Sequence, residues 1–169
     1  MKRGQIWVET VIYTLIALVM IGLVLSYVRP RVEELQDKSL IEQSIALIKD
    51  IDSTLLTMGG TGNQRLIELG IKKGSLKIDG VNDELFFEIE SKYTYSEPGI
   101  PIEHGVVIIN TEKRGKFNRV TLLRNYSLVY NITYDGEDKS KTLNKASLPY
   151  KLSILNKGGS PPVIDFSIK

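Results

Sequence analysis

The sequence predicts an α+β chain: one long N-terminal hydrophobic helix followed by an antiparallel β-sandwich-like head. Three observations carry this. No charged residue falls between Glu9 and Arg29. Apolar residues then recur at Ile41, Ile45, Ile48, Ile51 and Leu55, the three- and four-residue spacing of one helical stripe. Beyond Gly62 the chain turns into short runs rich in β-branched and aromatic residues, separated by turn dipeptides.

The helix is expected over residues 5–58, roughly 80 Å in length. Its first part, 5–28, is apolar all round. Trp7 and Tyr27 lie twenty residues apart, about 30 Å along a helix, which matches the thickness of a bilayer core. Both residue types favour membrane interfaces. The uncharged run exceeds the ~7–15 residues of a secretory signal's apolar core, and no small-x-small cleavage site follows it. These residues predict a membrane-spanning segment. Lys2 and Arg3 on one side balance Arg29 and Arg31 on the other, so charge gives no orientation.

Pro30 removes the hydrogen bond to the Ser26 carbonyl and predicts a kink. The second part of the helix, 31–58, is amphipathic. Glu33, Glu34, Asp37, Lys38, Glu42, Lys49 and Asp52 are expected mostly on its exposed faces, and the apolar stripe needs a cover. Gly59-Gly60-Thr61-Gly62 is expected to end it, with a left-handed glycine just past the last turn. Residues 59–63 form a glycine-rich hinge, and 64–169 the head.

In the head, eight strands are expected, at 64–71, 75–79, 84–91, 106–110, 117–124, 126–134, 150–155 and 163–168. The clearest is 126–134, where Tyr126, Leu128, Tyr130, Ile132 and Tyr134 alternate with Ser127, Val129, Asn131 and Thr133. Asp135-Gly136 is the turn dipeptide that closes it. Many short strands between turns suit an antiparallel sandwich with the amphipathic helix packed on one sheet.

Composition narrows the chemistry. Lys and Arg number 22 against 20 Asp and Glu, a net charge of +2, and Lys2 and Arg3 account for the whole excess. A balanced body makes nucleic acid an unlikely main partner. The absence of cysteine excludes disulfides, thiolate zinc sites and a cysteine nucleophile. The single histidine, His104, sits in an expected turn without a second ligand at metal spacing. Asp79, Asn82, Asp83 and Glu84 offer oxygens to a calcium ion, and turn chemistry accounts for them equally well. Asp135, Glu137 and Asp138 read as a hairpin tip. No serine has the context of a nucleophile elbow. The basic run Lys113, Arg114, Lys116, Arg119 and Arg124, near Phe117 and Tyr126, reads first as a solvated hairpin and second as a grip on DNA or another anionic surface. Neither enzyme chemistry nor a cofactor is expected, and no metal.

The N-terminus carries a more specific pattern. Lys2-Arg3-Gly4, then Gln5, then Glu9 at the mouth of an unbroken apolar helix resembles a type IV prepilin with a class III signal peptide. The glutamine after Gly4 makes the likeness closer to archaeal type IV pilins, and Glu9 separates it from archaellins. The resemblance covers about residues 2–30. It implies that residues 1–4 are a leader, cut between Gly4 and Gln5 by a prepilin peptidase. It implies no catalytic residue in this chain. It implies a membrane-inserted precursor that then joins an extracellular cell-surface filament. The partners would be further copies of the chain, an assembly ATPase and a membrane platform protein. The head would carry any adhesion. The rivals are a minor pilin or pseudopilin of a secretion or assembly machine, and a permanently membrane-anchored surface binding module.

The physics of Glu9 agrees with that likeness. A carboxylate in lipid is expensive and wants a partner. Cleavage before Gln5 would create an ammonium four residues away in sequence, available to Glu9 of a neighbouring subunit. Glu9 is then expected to set axial register. Cyclisation of an N-terminal glutamine would remove that cation. Gly22 and Ser26, four apart, have the small-xxx-small spacing that lets helices approach, with Ala17 a further small residue. Two sequons, at Asn125 and Asn131, are candidate glycosylation sites, expected on the face of their strand opposite the tyrosines.

Overall fold

The computed structural model describes residues 2–169, with side chains from Trp7 onward. Of the expected leader 1–4, Met1 lies outside the described residues, and Lys2–Gly4 and Gln5 are described in backbone only, within the first helix. By packing, the chain divides into a unit ending at Gln36 and a unit spanning Asp37–Lys169.

One helix, α1, spans Lys2–Leu56 and stays helical through Pro30. In its last turn the Ser53 carbonyl accepts the Thr57 N–H at 3.1 Å and the Thr57 hydroxyl at 2.8 Å. The Met58 N–H then donates to the Leu55 carbonyl at 3.3 Å and tightens the last turn. The left-handed residue of the glycine run is Gly62 (φ 86°), which lies several residues past the last helical turn rather than just after it. The Gly62 N–H donates to the Asn156 carbonyl at 2.7 Å, and the Asn156 amide donates to the Gly59 carbonyl at 3.0 Å. Residues 59–63 are therefore docked rather than free.

The strands are β1 (Gln64–Leu69), β2 (Ser75–Asp79), β3 (Glu84–Ser91), β4 (Ile102–His104), β5 (Val107–Arg114), β6 (Phe117–Asn125), β7 (Asn131–Tyr134), β8 (Ser140–Asn144), β9 (Tyr150–Gly158) and β10 (Val163–Ile168). They form a four-stranded sheet in the order β1-β9-β10-β7 and a six-stranded sheet in the order β4-β5-β6-β3-β2-β8. All pairings are antiparallel except β10 with β7. Two strands, β4 and β8, lie where no strand was expected. Each is short and mostly exposed, so neither has the buried alternation that marks a strand in sequence. His104 accordingly ends a strand instead of lying within a turn.

The largest correction concerns residues 126–134. Only Asn131–Tyr134 is a strand. Residues 126–130 turn, with the Val129 and Tyr130 N–H groups both donating to the Tyr126 carbonyl, at 2.7 and 2.8 Å. Asn125 starts that turn: its side-chain oxygen accepts the Ser127 N–H at 3.0 Å and the Ser127 hydroxyl at 2.6 Å. The turn carries the chain from the six-stranded sheet (β6) to the four-stranded one (β7), a crossing that one unbroken strand would prevent. Leu128, placed by alternation on the face of the buried Tyr126, is 96% exposed. The face argument for Asn131 fails for the same reason, because Ile132, Thr133 and Tyr134 are all buried.

The stripe Ile41, Ile45, Ile48, Ile51 and Leu55 is buried in one core with Leu76, Phe87 and Leu122 of the larger sheet and Leu152, Ile154 and Phe166 of the smaller. Burial of such side chains contributes about 1.5–3 kcal/mol each before entropy is charged against it. Asp37 and Asp52 belong to this buried face too, contrary to the expectation that they are solvated. Their spacing explains it: Asp37 precedes Ile41 by four and Asp52 follows Ile48 by four, so both extend the stripe.

Candidate functional site

The first unit is built from residues that lipid tolerates and water does not. From Trp7 to Val28 every described side chain is exposed, among them Leu15, Leu18, Ile21, Leu23 and Val24. The segment is long and apolar enough to cross a membrane. Its hydroxyls do not spoil that character: Thr14 donates to the Val11 carbonyl at 2.9 Å, satisfying itself within the helix. Trp7 and Tyr27, the two interface candidates, are each 71% exposed. Glu9 is exposed at the start of the run. Gly22 and Ser26 are exposed, and a side chain at Gly22 would meet no atom within 4 Å among the described residues. The charged boundary begins with Arg29, and Arg31 beyond Pro30 donates to Glu34 at 3.0 Å.

The second unit holds its part of α1 at both ends. Asp37 accepts the backbone N–H of Lys92 at 2.7 Å and pairs with Lys73. Asp52 pairs with Arg124 at 2.7 Å, and the guanidinium stacks on the Tyr126 ring at 4.6 Å. Burial, with the negative charge of Asp52 next, pushes the Tyr126 phenol well above its ordinary range, so it stays neutral. Sequence reasoning missed this clamp because an aspartate on an amphipathic helix defaults to solvent. The four-residue steps from the stripe were the available signal.

The other candidate groups resolve into structure. Asp79 is buried, and its carboxylate accepts from Lys77 (2.5 Å), the Ser140 hydroxyl (2.7 Å), Asn82 (3.0 Å) and the Val81 N–H (3.1 Å). Burial alone would raise its pKa; those four donors outweigh it and hold the carboxyl well below the usual range. Asp83 accepts the Ile132 N–H at 2.6 Å, tying the two sheets together. Asp135 (φ 50°) and Gly136 (φ 83°) make the left-handed pair of a tight turn, as the dipeptide predicts. Among the described residues no group of three or more metal-ligating side chains is assembled.

The basic run divides. Arg119 faces Glu88 at 3.5 Å and Arg124 holds Asp52, so both are structural. Lys113, Arg114 and Lys116 remain exposed at the β5–β6 tip. Of the sequons, Asn125 is exposed, whereas Asn131 is half-buried and its Thr133 hydroxyl donates to Asp165 at 2.7 Å. Compared with family models, curated proteins and solved structures, the chain matches none.

Proposed function

We propose that this chain is a structural subunit of an extracellular filament of the type IV pilin kind. A prepilin peptidase would cut between Gly4 and Gln5, and the apolar part of α1 would leave the membrane to pack against copies of itself. The observation that carries this reading is one carboxylate, Glu9, at the mouth of an otherwise uncharged and fully exposed span. Water does not tolerate that surface, and lipid does not reward that carboxylate. A bundle of sibling helices with free N-termini accommodates both. The head gives the filament its outer surface.

The test is the N-terminus and the state of material sheared from the cell surface. The reading expects a chain beginning at residue 5, recovered as filaments. It also expects Glu9→Gln to be processed normally yet to leave no filaments. A permanently anchored surface module would instead keep Met1 and remain single in detergent. Abundant filaments from the Glu9→Gln chain would remove Glu9 from assembly.

A further inference from the structure

We propose that the tip of the β5–β6 hairpin is a lipid-surface contact, in which Lys113, Lys116 and Phe117 meet anionic headgroups of the bilayer holding the apolar part of α1. The proposal rests on the membrane reading above and concerns the chain before assembly.

The first step is to find which end of the head the hairpin occupies. The chain enters the head at Asp37, which accepts the N–H of Lys92 at 2.7 Å. Lys92 follows Ser91, the last residue of β3, and Ser91 pairs with Asn118 at the start of β6. Asn118 directly follows the tip, where Arg114 pairs with Phe117. The opposite end of the head is marked by Asp52 with Arg124, and by the turn that presents Leu128. The tip therefore lies at the entry end. Eight residues separate Val28 from Asp37, so nine steps of chain form a tether of about 30 Å even fully extended. The entry end is therefore the part of the head that chain length holds within reach of Val28.

The second step is chemistry. Lys113, Arg114, Lys116 and Phe117 are all exposed, Phe117 at 45%. Arg114 is met by Glu112 at 3.2 Å. Lys113 and Lys116 have no carboxylate partner among the described residues. Two free ammonium groups beside an exposed aromatic ring form an interfacial anchor: the charges seek phosphates, and the ring seeks the boundary below them. The same end carries Tyr93 and Tyr95, half-buried and in edge contact at 6.4 Å, a residue type that settles at membrane interfaces. Toward the far end Arg124 is committed to Asp52, Lys77 to Asp79 and Lys139 to Glu137.

The test uses the full chain in lipid nanodiscs with brominated acyl chains. The discs are phosphatidylcholine alone, or equal parts phosphatidylcholine and phosphatidylglycerol. Trp7 is the only tryptophan, so its quenching in the unaltered chain reports insertion by itself. Phe117→Trp in a Trp7→Phe background reports the tip, and Leu128→Trp in the same background reports the far end. The Phe117→Trp probe is expected to blue-shift and quench in anionic discs only, and Leu128→Trp to stay unquenched in both. Adding Lys113→Gln and Lys116→Gln should cut the docked-to-free ratio about 25-fold, at about fivefold per basic residue. Phe117→Trp quenched no more than Leu128→Trp, or quenching indifferent to the two lysine changes, overturns the proposal. So does a tip that responds to single-stranded DNA and not to lipid. An unquenched Trp7 would instead remove the membrane reading beneath it.

Discussion

Asp52→Ala is expected to destabilise the head by about 2–4 kcal/mol, while Asp52→Leu combined with Arg124→Met should cost much less than that. The asymmetry follows from the site. The Asp52 side chain is 6% exposed and that of Arg124 21%, so the pair sits at 2.7 Å where solvent can re-solvate neither partner well. Deleting the carboxylate leaves a guanidinium stacked on Tyr126, with a single remaining hydrogen bond, to the Asn125 carbonyl at 3.1 Å. The upper figure for breaking a buried pair, about 5 kcal/mol, is too large here because Arg124 keeps some access to water. Replacing both partners removes two desolvation costs and restores apolar packing at the end of the stripe. The assay is thermal unfolding of the full chain in detergent, followed in the β-sheet region of the far-ultraviolet spectrum, where the micelle-held helix adds a constant background. A loss of about 3 kcal/mol in a domain of this size corresponds to roughly 10 °C. A single variant melting within about 2 °C of the parent, or a double variant melting below the single one, would refute the clamp.

Three further outcomes follow from the packing and the charges. Ile48→Ala, at the fully buried centre of the stripe, should cost about 2–5 kcal/mol in denaturant titration with little change in slope. Leu128→Asp should leave stability within about 0.5 kcal/mol of the parent, because the residue is 96% exposed, although alternation places it on the face of the tyrosines. Acid should destabilise the head through Asp79: its folded pKa lies below its unfolded value of about 3.9, so its contribution is complete above that value and is lost as pH falls through it toward the folded one. Asp165, held low against its own burial by Thr133, Gly136 and Lys157, adds in the same direction. Melting temperatures measured from pH 7 to pH 3 should stay level above about pH 5 and then fall, and Asp79→Asn should flatten that fall.

What could be read from the sequence followed from how local each signal is. The helix was legible because its two halves carry different but regular patterns, an uncharged run and a stripe at three- and four-residue steps. β2, β3 and β6 were legible because they are central strands with one buried face, so their alternation is written in residue type. The illegible parts depend on tertiary company. β8 is a strand only because its edge meets β2, and little of it is buried. The run 126–134 alternates throughout, yet Asn125 with Ser127 supplies a local turn that outcompetes the ladder and lets the chain change sheets. Asp37 and Asp52 illustrate the same limit. A charged residue within a stripe reads as a surface position until a distant partner, Lys92 or Arg124, is known to arrive there. The long apolar helix and the β-rich head are what the fold shares with the expectation.

One helix thus meets two different demands. From Asp37 onward its apolar stripe is covered by its own head, and the aspartates at the two ends of the stripe fix it there. Over Trp7–Leu35 the described apolar side chains are exposed, and Leu, Ile and Val at about 1.5–3 kcal/mol apiece make water an untenable resting place. Lipid and a bundle of identical helices are both apolar, so moving that surface from one to the other changes little of this energy; close packing and polar pairing decide the balance. On the proposed filament reading, single apolar substitutions such as Leu18→Ala should therefore shift assembly far less than the loss of Glu9's charge. Comparing filament yield from Leu18→Ala and Glu9→Gln at equal membrane levels checks this. If the leucine change abolished filaments and the glutamate change did not, the driving force would lie in apolar fit and the carboxylate would be incidental.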